Sequence, residues 1–213
     1  MRHGRGGETG SYVPKVLSAD DIASFRERLC DIAEEKFAAL GIEGVTLRDL
    51  AAAMGVSPMT PYRYFKDKDA ILAAVRARAF NRFAQAMEEA ELAAKSKGKG
   101  GAFTGAAYVN WALKNEAAYR LMFDTQQPTA ADYPDLVEAM RRSREMMTVY
   151  WRRMKAEGRF KGDVDLAGHL MWSAQHGAVM LELAGLLHKP MDARKLAARA
   201  ILSLARDLGV TGD

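Results

Sequence analysis

The residues richest in usable chemistry lie between Thr46 and Lys68. Ser57, Thr60, Tyr62 and Tyr64 carry hydroxyls, and within 57–68 Arg63, Lys66 and Lys68 face the single anion Asp67. Over residues 18–80 as a whole the balance is 9 cations to 10 anions, so positive charge is concentrated in this one segment. Hydroxyls, cationic side chains and the unpaired N–H groups at helix starts are the donors that hold phosphate oxygens, and a guanidinium can also read a base edge. The chemistry implied is recognition of a polyanion.

The spacing around these residues predicts the elements that position them. Thr46 caps a helix running to Met54, with Asp49 at its third helical position and Leu47, Leu50 and Ala51 on its buried face. Gly55-Val56 makes a turn. Ser57 then caps a second short helix with Pro58 at its first position, reading on to Phe65; Pro61 removes the first regular intrahelical bond and predicts a tighter start. Ahead of both, Ile22, Phe25, Leu29, Ile32, Ala33, Phe37 and Leu40 recur at helical spacing over about 19–40, with Ser18 and Asp21 as a cap and Gly41 as the stop. Behind them, Asp67 caps a long helix to about 94. Two short capped helices joined by a glycine turn under a longer one form the layout of a helix-turn-helix, whose second short helix enters the DNA major groove. The candidate DNA contacts are Thr46, Ser57, Pro58, Met59, Thr60, Tyr62, Arg63, Tyr64 and Lys68.

The rest of the chain bounds the setting. Its 213 residues are 49% hydrophobic and 27% charged, with a net charge of +4, which describes a globular protein rather than a disordered one. A lone Cys30 excludes disulfide scaffolds and multi-thiolate metal sites and favours a reducing cytoplasm. No run approaches the roughly 18 apolar residues of a membrane span, and residues 1–17 lack a signal-peptide core. That segment reads as a flexible basic arm through Arg2 and Arg5. Lys95 to Gly101 reads as an exposed loop, followed by helices at about 102–114, 116–124, 134–157, 165–187 and 192–208. Strand alternation is absent, so the fold class is all-α.

The run Thr46-Leu47-Arg48-Asp49-Leu50-Ala51-Ala52-Ala53-Met54-Gly55-Val56-Ser57-Pro58-Met59-Thr60-Pro61-Tyr62-Arg63-Tyr64-Phe65-Lys66-Asp67-Lys68 closely resembles the DNA-binding domain of the tetracycline-repressor (TetR/AcrR) family of bacterial transcription regulators. With the first helix, the resemblance covers about 22–75. It implies that Thr46 and Lys68 anchor phosphates, that Ser57 to Tyr64 faces the groove and that Phe65 packs inside. Pro61 stands where many members have leucine, and Arg63 where many have histidine. Trp172-Ser173-Ala174-Gln175-His176-Gly177 resembles the branch of the family named for a Trp-His-Gly signature in its effector domain. The organisation implied is an arm over 1–17, a helix-turn-helix domain over 18–66, a connecting helix over 67–94 and an effector-binding and dimerisation domain over 102–213. The function implied is a homodimeric regulator, most often a repressor, released from a palindromic operator by a small apolar ligand.

On a helical wheel, Trp172, His176, Val179, Leu183 and Leu187 share one face of the 165–187 helix, and Leu170, Ala174, Gly177, Ala178, Leu181 and Gly185 share the opposite one. Both faces are apolar and need cover. The small-residue face, joined by Leu196, Ala200 and Leu204 of the last helix, suits a symmetric helix-pair interface. An effector cavity would draw on Tyr108, Trp111, Tyr119 and Met122 from two helices and on Met147, Tyr150 and Trp151 from a third. Trp172, Gln175, His176 and Met180 would complete it, since methionine and aromatic side chains form adaptable apolar walls. No catalytic motif, metal site or cofactor is indicated: His169 and His176 stand two turns apart, about 10 Å along the helix, too far to share a metal within one straight helix. The competing reading is a ligand-sequestering or protein-interaction module whose helix-turn-helix is only structural. The local basic charge weighs against it.

Overall fold

The computed structural model describes residues 18–96, 101–124 and 129–210, and these form eight α-helices with no strand among them. The helices are α1 (Ala19–Leu40), α2 (Leu47–Ala53), α3 (Lys68–Ser96), α4 (Gly101–Lys114), α5 (Glu116–Met122), α6 (Pro134–Ala156), α7 (Val164–Leu183) and α8 (Ala193–Asp207). The basic arm expected over 1–17 lies outside the described residues, as do positions 97–100 of the expected loop; Lys95 and Ser96 still belong to α3, and α4 begins at Gly101.

Reciprocal caps set the first two helix starts. Asp21 N donates to Ser18 Oγ at 3.0 Å while Ser18 N donates to Asp21 Oδ2 at 3.1 Å, and the same box closes between Thr46 and Asp49 at 3.2 and 2.9 Å. Asp67 Oδ1 accepts from Ala70 N at 2.8 Å and starts α3.

Two expectations need correction. The segment from Ser57 to Phe65 is not an α-helix: a turn leads into a 3₁₀ helix over Pro61–Arg63 only. Its bonds are Thr60 N to Ser57 O, Arg63 N to Thr60 O and Tyr64 N to Pro61 O, three residues back at 2.9, 3.1 and 2.9 Å, with a single four-residue bond, Phe65 N to Pro61 O at 3.0 Å, at its end. Pro61 has no N–H to give the Ser57 carbonyl, and Ser57 Oγ pairs with Thr60 Oγ1 at 3.0 Å rather than with the backbone, so the α pitch is not set at the start of the segment and its one four-residue bond comes only at Phe65. The other correction is the end of α7 at Leu183 instead of 187. Gly185 adopts φ +69°, Gly185 N donates to Glu182 O and Leu186 N to Leu181 O, both at 2.9 Å, which is a glycine-terminated helix end. Gly185 and Leu187 therefore lie beyond the helix.

The helices enclose two principal cores. Phe25, Leu29 and Phe37 of α1 meet Leu47 and Leu50 of α2, Phe65, and Ile71, Leu72 and Val75 of α3, with Leu121 of α5 joining them. The second core gathers Phe80, Phe83 and Met87 of α3 with Tyr108, Tyr119, Met122, Leu136, Val179 and Ala197. A smaller cluster of Trp151, Met154, Phe160, Ala167, Met171 and Ile201 closes the far end. Helix α3 thus feeds both principal cores, and ion pairs brace it on each side. Arg78 reaches Glu27 and Asp31 of α1, Arg82 reaches Glu34 at 2.7 Å, and further along Glu88 and Glu91 each meet α6 at 2.6 Å, through Arg142 and Arg153.

Candidate functional site

At the tip of the N-terminal unit, Ser57, Pro58, Met59, Tyr62 and Arg63 form one exposed run, with the large side chains Met59 and Tyr62 at 68% and 52% exposure. Single exposed apolar side chains are common on protein surfaces, so what marks this run is their grouping with Ser57, Pro58 and Arg63 at one tip. Arg63 makes no side-chain hydrogen bond or ion pair among the described residues, so its donors are available. The other predicted contacts sit differently. Thr46 is exposed, but its hydroxyl donates to Asp49 Oδ2 at 2.6 Å and accepts from Asp49 N, so the cap occupies it. Thr60 is half-buried against Ser57. Tyr64 is stacked on Phe25 at 3.9 Å, and its carbonyl accepts from Arg26 Nη1 at 2.6 Å. Lys68 Nζ donates to Ile42 O at 3.0 Å and lies 3.8 Å from Glu43, tying the start of α3 to the α1–α2 connection.

Arg26 is the residue that sequence reasoning missed. Its guanidinium lies 4.1 Å over the Phe65 ring while holding the Tyr64 carbonyl, and so it locks the exposed turn onto α1. On a helical wheel it is one more polar-face cation, and its carbonyl partner 38 residues away leaves no trace in the local pattern.

In the C-terminal half, α4, α6, α7 and α8 surround a cavity of about 280 Å³. Tyr108, Met147, Tyr150, Trp151, Trp172 and Gln175 line it as the sequence suggests, together with Met87, Met146, Met171 and Ile201, which it did not single out. Trp111, Tyr119, Met122, His176 and Met180 do not line it. From the lining residues Trp172 and Tyr108 a hydrogen-bonded chain runs behind the wall to Tyr119 and His176. Trp172 Nε1 donates to the Tyr108 hydroxyl at 3.1 Å, the Tyr108 and Tyr119 hydroxyls are 2.7 Å apart, and the Tyr119 hydroxyl is 2.7 Å from His176 Nδ1. The indole can only donate. The run that pairs every group has Tyr108 donating to Tyr119 and Tyr119 to Nδ1, which leaves the imidazole proton on Nε2.

Burial pushes both phenols well above the usual tyrosine range, so they stay neutral, and it holds His176 below the usual histidine value. The sign of the pH effect follows. The unfolded chain takes the histidine proton more readily than the folded one, so stability falls as pH drops through the ordinary histidine range and levels off below the folded value. Urea midpoints measured from neutral pH down to about pH 5 should show that fall, and His176→Gln should flatten it. An unchanged slope in the variant would place the titration elsewhere.

Of the face suggested for pairing, Leu170 and Leu181 are exposed and a Cβ at Gly177 would meet nothing within 4 Å. Leu166, one turn earlier, extends this open stripe. Ala174 and Ala200 are half-buried, Ala178 lies inside the second core, and Leu196 and Leu204 pack against buried residues of the same chain. Among the described residues no group of three His, Cys, Asp or Glu side chains is arranged to hold a metal, and no helix is long and apolar enough to cross a membrane.

Comparison with known proteins agrees with this architecture at both ends. Residues 29–75 match the family model described as bacterial regulatory proteins, tetR family, and residues 102–204 match that described as tetracyclin repressor-like, C-terminal domain. The C-terminal model carries that general description and does not name the Trp-His-Gly branch. No curated protein matches the sequence. Among solved structures, a Rhodococcus sp. RHA1 protein of unknown function is 26% identical, with a TM-score of 0.73 over 86% of this chain and 95% of that one. The TetR family transcriptional regulator PfmR of Thermus thermophilus is 22% identical, with a TM-score of 0.62 over 84% of this chain and 97% of its own. SmeT, the repressor of the Stenotrophomonas maltophilia multidrug efflux pump SmeDEF, is 19% identical, with a TM-score of 0.63 over 88% and 93%. With a family model matched in each half, a helix-turn-helix unit in front and a helical unit behind, the chain belongs to the TetR family of bacterial regulatory proteins.

Proposed function

We propose that the protein is a homodimeric DNA-binding repressor that leaves a palindromic operator when a small apolar ligand enters the cavity between α4, α6, α7 and α8. The observation that carries the reading is the open run Ser57, Pro58, Met59, Tyr62 and Arg63, held on α1 by Arg26 and followed at once by α3, the helix that also walls the ligand cavity through Met87. SmeT, a repressor with the same fold, supports the direction of control. The proposed division is a basic arm over 1–17, a DNA-binding head over 18–66, a connecting helix over 67–94 and an effector and dimerisation unit over 102–213. The exposed stripe of Leu166, Leu170, Gly177 and Leu181 is the surface a second subunit would cover. Two-fold pairing would present the heads to successive major grooves, about 34–36 Å apart. A ligand that binds better to the conformation with displaced heads then lowers operator affinity by its difference in affinity for the two states. The cytoplasm, where such an operator lies, is the proposed compartment, and no catalytic step is assigned.

The test is binding to the DNA upstream of the protein's own gene against scrambled DNA of equal length, across a salt series. Selective binding with a steep salt slope is expected. Arg63→Ala should lose about 1–3 kcal/mol on the operator, roughly 5- to 150-fold, and relax preference at one position, whereas Lys68→Ala should weaken all sequences and flatten the salt slope. Equal losses on operator and scrambled DNA for Arg63→Ala would remove it as a base reader. Failure to select any palindrome from random DNA would overturn the regulator reading.

A further inference from the structure

We infer that the effector cavity takes a neutral, largely apolar molecule of one or two rings whose single polar group is a carbonyl, held by the carboxamide of Gln175. The inference rests on the proposal above that this cavity is the effector site, and it adds the chemical class.

The argument is one of which polar groups remain unpaired. The Trp172 N–H and the Tyr108 hydroxyl reach the cavity wall, yet each is engaged in the chain that ends at His176. Gln175 is different. It lines the cavity at 9% exposure, and its side chain makes no hydrogen bond among the described residues. Its amide opens onto the cavity rather than being sealed in the core, so an occupant that pairs with it takes the place of water there. The backbone makes room for this group. A Cβ at Gly105 would lie 2.5 Å from Ile201 Cδ1 and 3.3 Å from Gln175 Nε2, so the bare α4 at this point gives both side-chain ends their present places without a shift.

Charge excludes the ionic alternatives. Among the described lining residues the only charged side chain is Arg206, which is exposed and lies one turn beyond Leu202 on α8. A carboxylate seated against Gln175 would give up its water with no cation beside it, and one drawn to Arg206 would leave the amide unpaired. An ammonium would find no anion at all on the described walls. A carbonyl needs only the amide N–H. The size follows from the roughly 280 Å³ available, at the small end for ligand cavities. Met87, Met146, Met147 and Met171 can bend around flat rings between Trp151 and Trp172.

Equilibrium dialysis of the full chain against benzophenone, diphenylmethane and diphenylacetate tests this. Benzophenone should bind at least tenfold more tightly than diphenylmethane, its counterpart without the carbonyl, and diphenylacetate should bind more weakly than benzophenone. Gln175→Leu, with Gln175→Met as the second variant should the first not fold, should abolish the benzophenone advantage while diphenylmethane still binds. Equal affinity for the two neutral probes, or an advantage that persists in the folded variant, overturns the carbonyl assignment and leaves the effector cavity standing. Preferred binding of diphenylacetate that is lost in Arg206→Gln also overturns it, in favour of an anionic ligand. If none of the three binds, the assignment falls together with the reading of this cavity as the effector site.

Discussion

Replacing Phe83 by alanine is expected to remove about 3–5 kcal/mol of folding stability, read as a lowered urea midpoint at unchanged slope. Phe83 is almost wholly buried on α3, with the rings of Tyr108 and Trp111 each 5.2 Å away and nearly perpendicular to it. Truncation would remove the transfer energy of the ring, open a cavity and break two edge-to-face contacts. Because Tyr108 is a link in the hydrogen-bonded chain to His176, the same change should loosen that chain, visible as a weakened pH dependence of the midpoint. A loss below about 1.5 kcal/mol would mean that the surrounding side chains collapse into the space, and that α3 is less firmly seated in the second core than its burial indicates.

The opposite sign is expected at Arg76. Its side chain is 2% exposed, Nη2 makes a single long bond of 3.4 Å to the Met122 carbonyl, and Nε and Nη1 have no hydrogen-bond partner. Burial pulls the guanidinium below its usual pKa, and the charge of Asp124 only partly opposes this. A buried cation with most of its donors unpaired is destabilising relative to an apolar side chain of similar length. Arg76→Met should therefore raise stability by about 1–3 kcal/mol, measured by the same urea unfolding. What it should take away is the tether between α3 and the carboxyl end of α5, the helix whose Tyr119 belongs to the chain behind the cavity and whose Leu121 enters the N-terminal core. A destabilised Arg76→Met would show that the Met122 bond and the Phe80 ring, 6.0 Å below the guanidinium, outweigh the burial cost.

The legible part of this molecule is the part governed by neighbours in sequence. The starts of α1 and α2 depend on caps three residues long, and their buried faces on a 3.6-residue period, so both can be read directly. The Ser57–Phe65 segment carries its own warning in Pro61, although the reach of the disruption, a single 3₁₀ turn, depends on where Ser57 Oγ bonds. The end of α7 is hidden because apolar residues continue at Leu186 and Leu187 past the glycine. The cavity is half legible for the same reason. Aromatic and methionine residues on facing helices announce an apolar wall, but whether Tyr119 and His176 face the space or stand behind it is decided by how α4, α5 and α7 approach one another. Met87 and Met171 read as ordinary core until that approach leaves room beside them.

Helix α3 supplies Ile71, Leu72 and Val75 to one core and Phe80, Phe83 and Met87 to the other, and between them Arg78 is already paired to α1. There is consequently no seam at which one half of the chain could be exchanged for that of a relative. A recombinant hybrid joined anywhere along this helix must keep α1 matched to Arg78 and Arg82 and α6 matched to Glu88 and Glu91, or lose the bracing on one side. Hybrids that retain those matches should keep both cores closed around α3, and drift in either half is constrained by the other through a single rod of 29 residues.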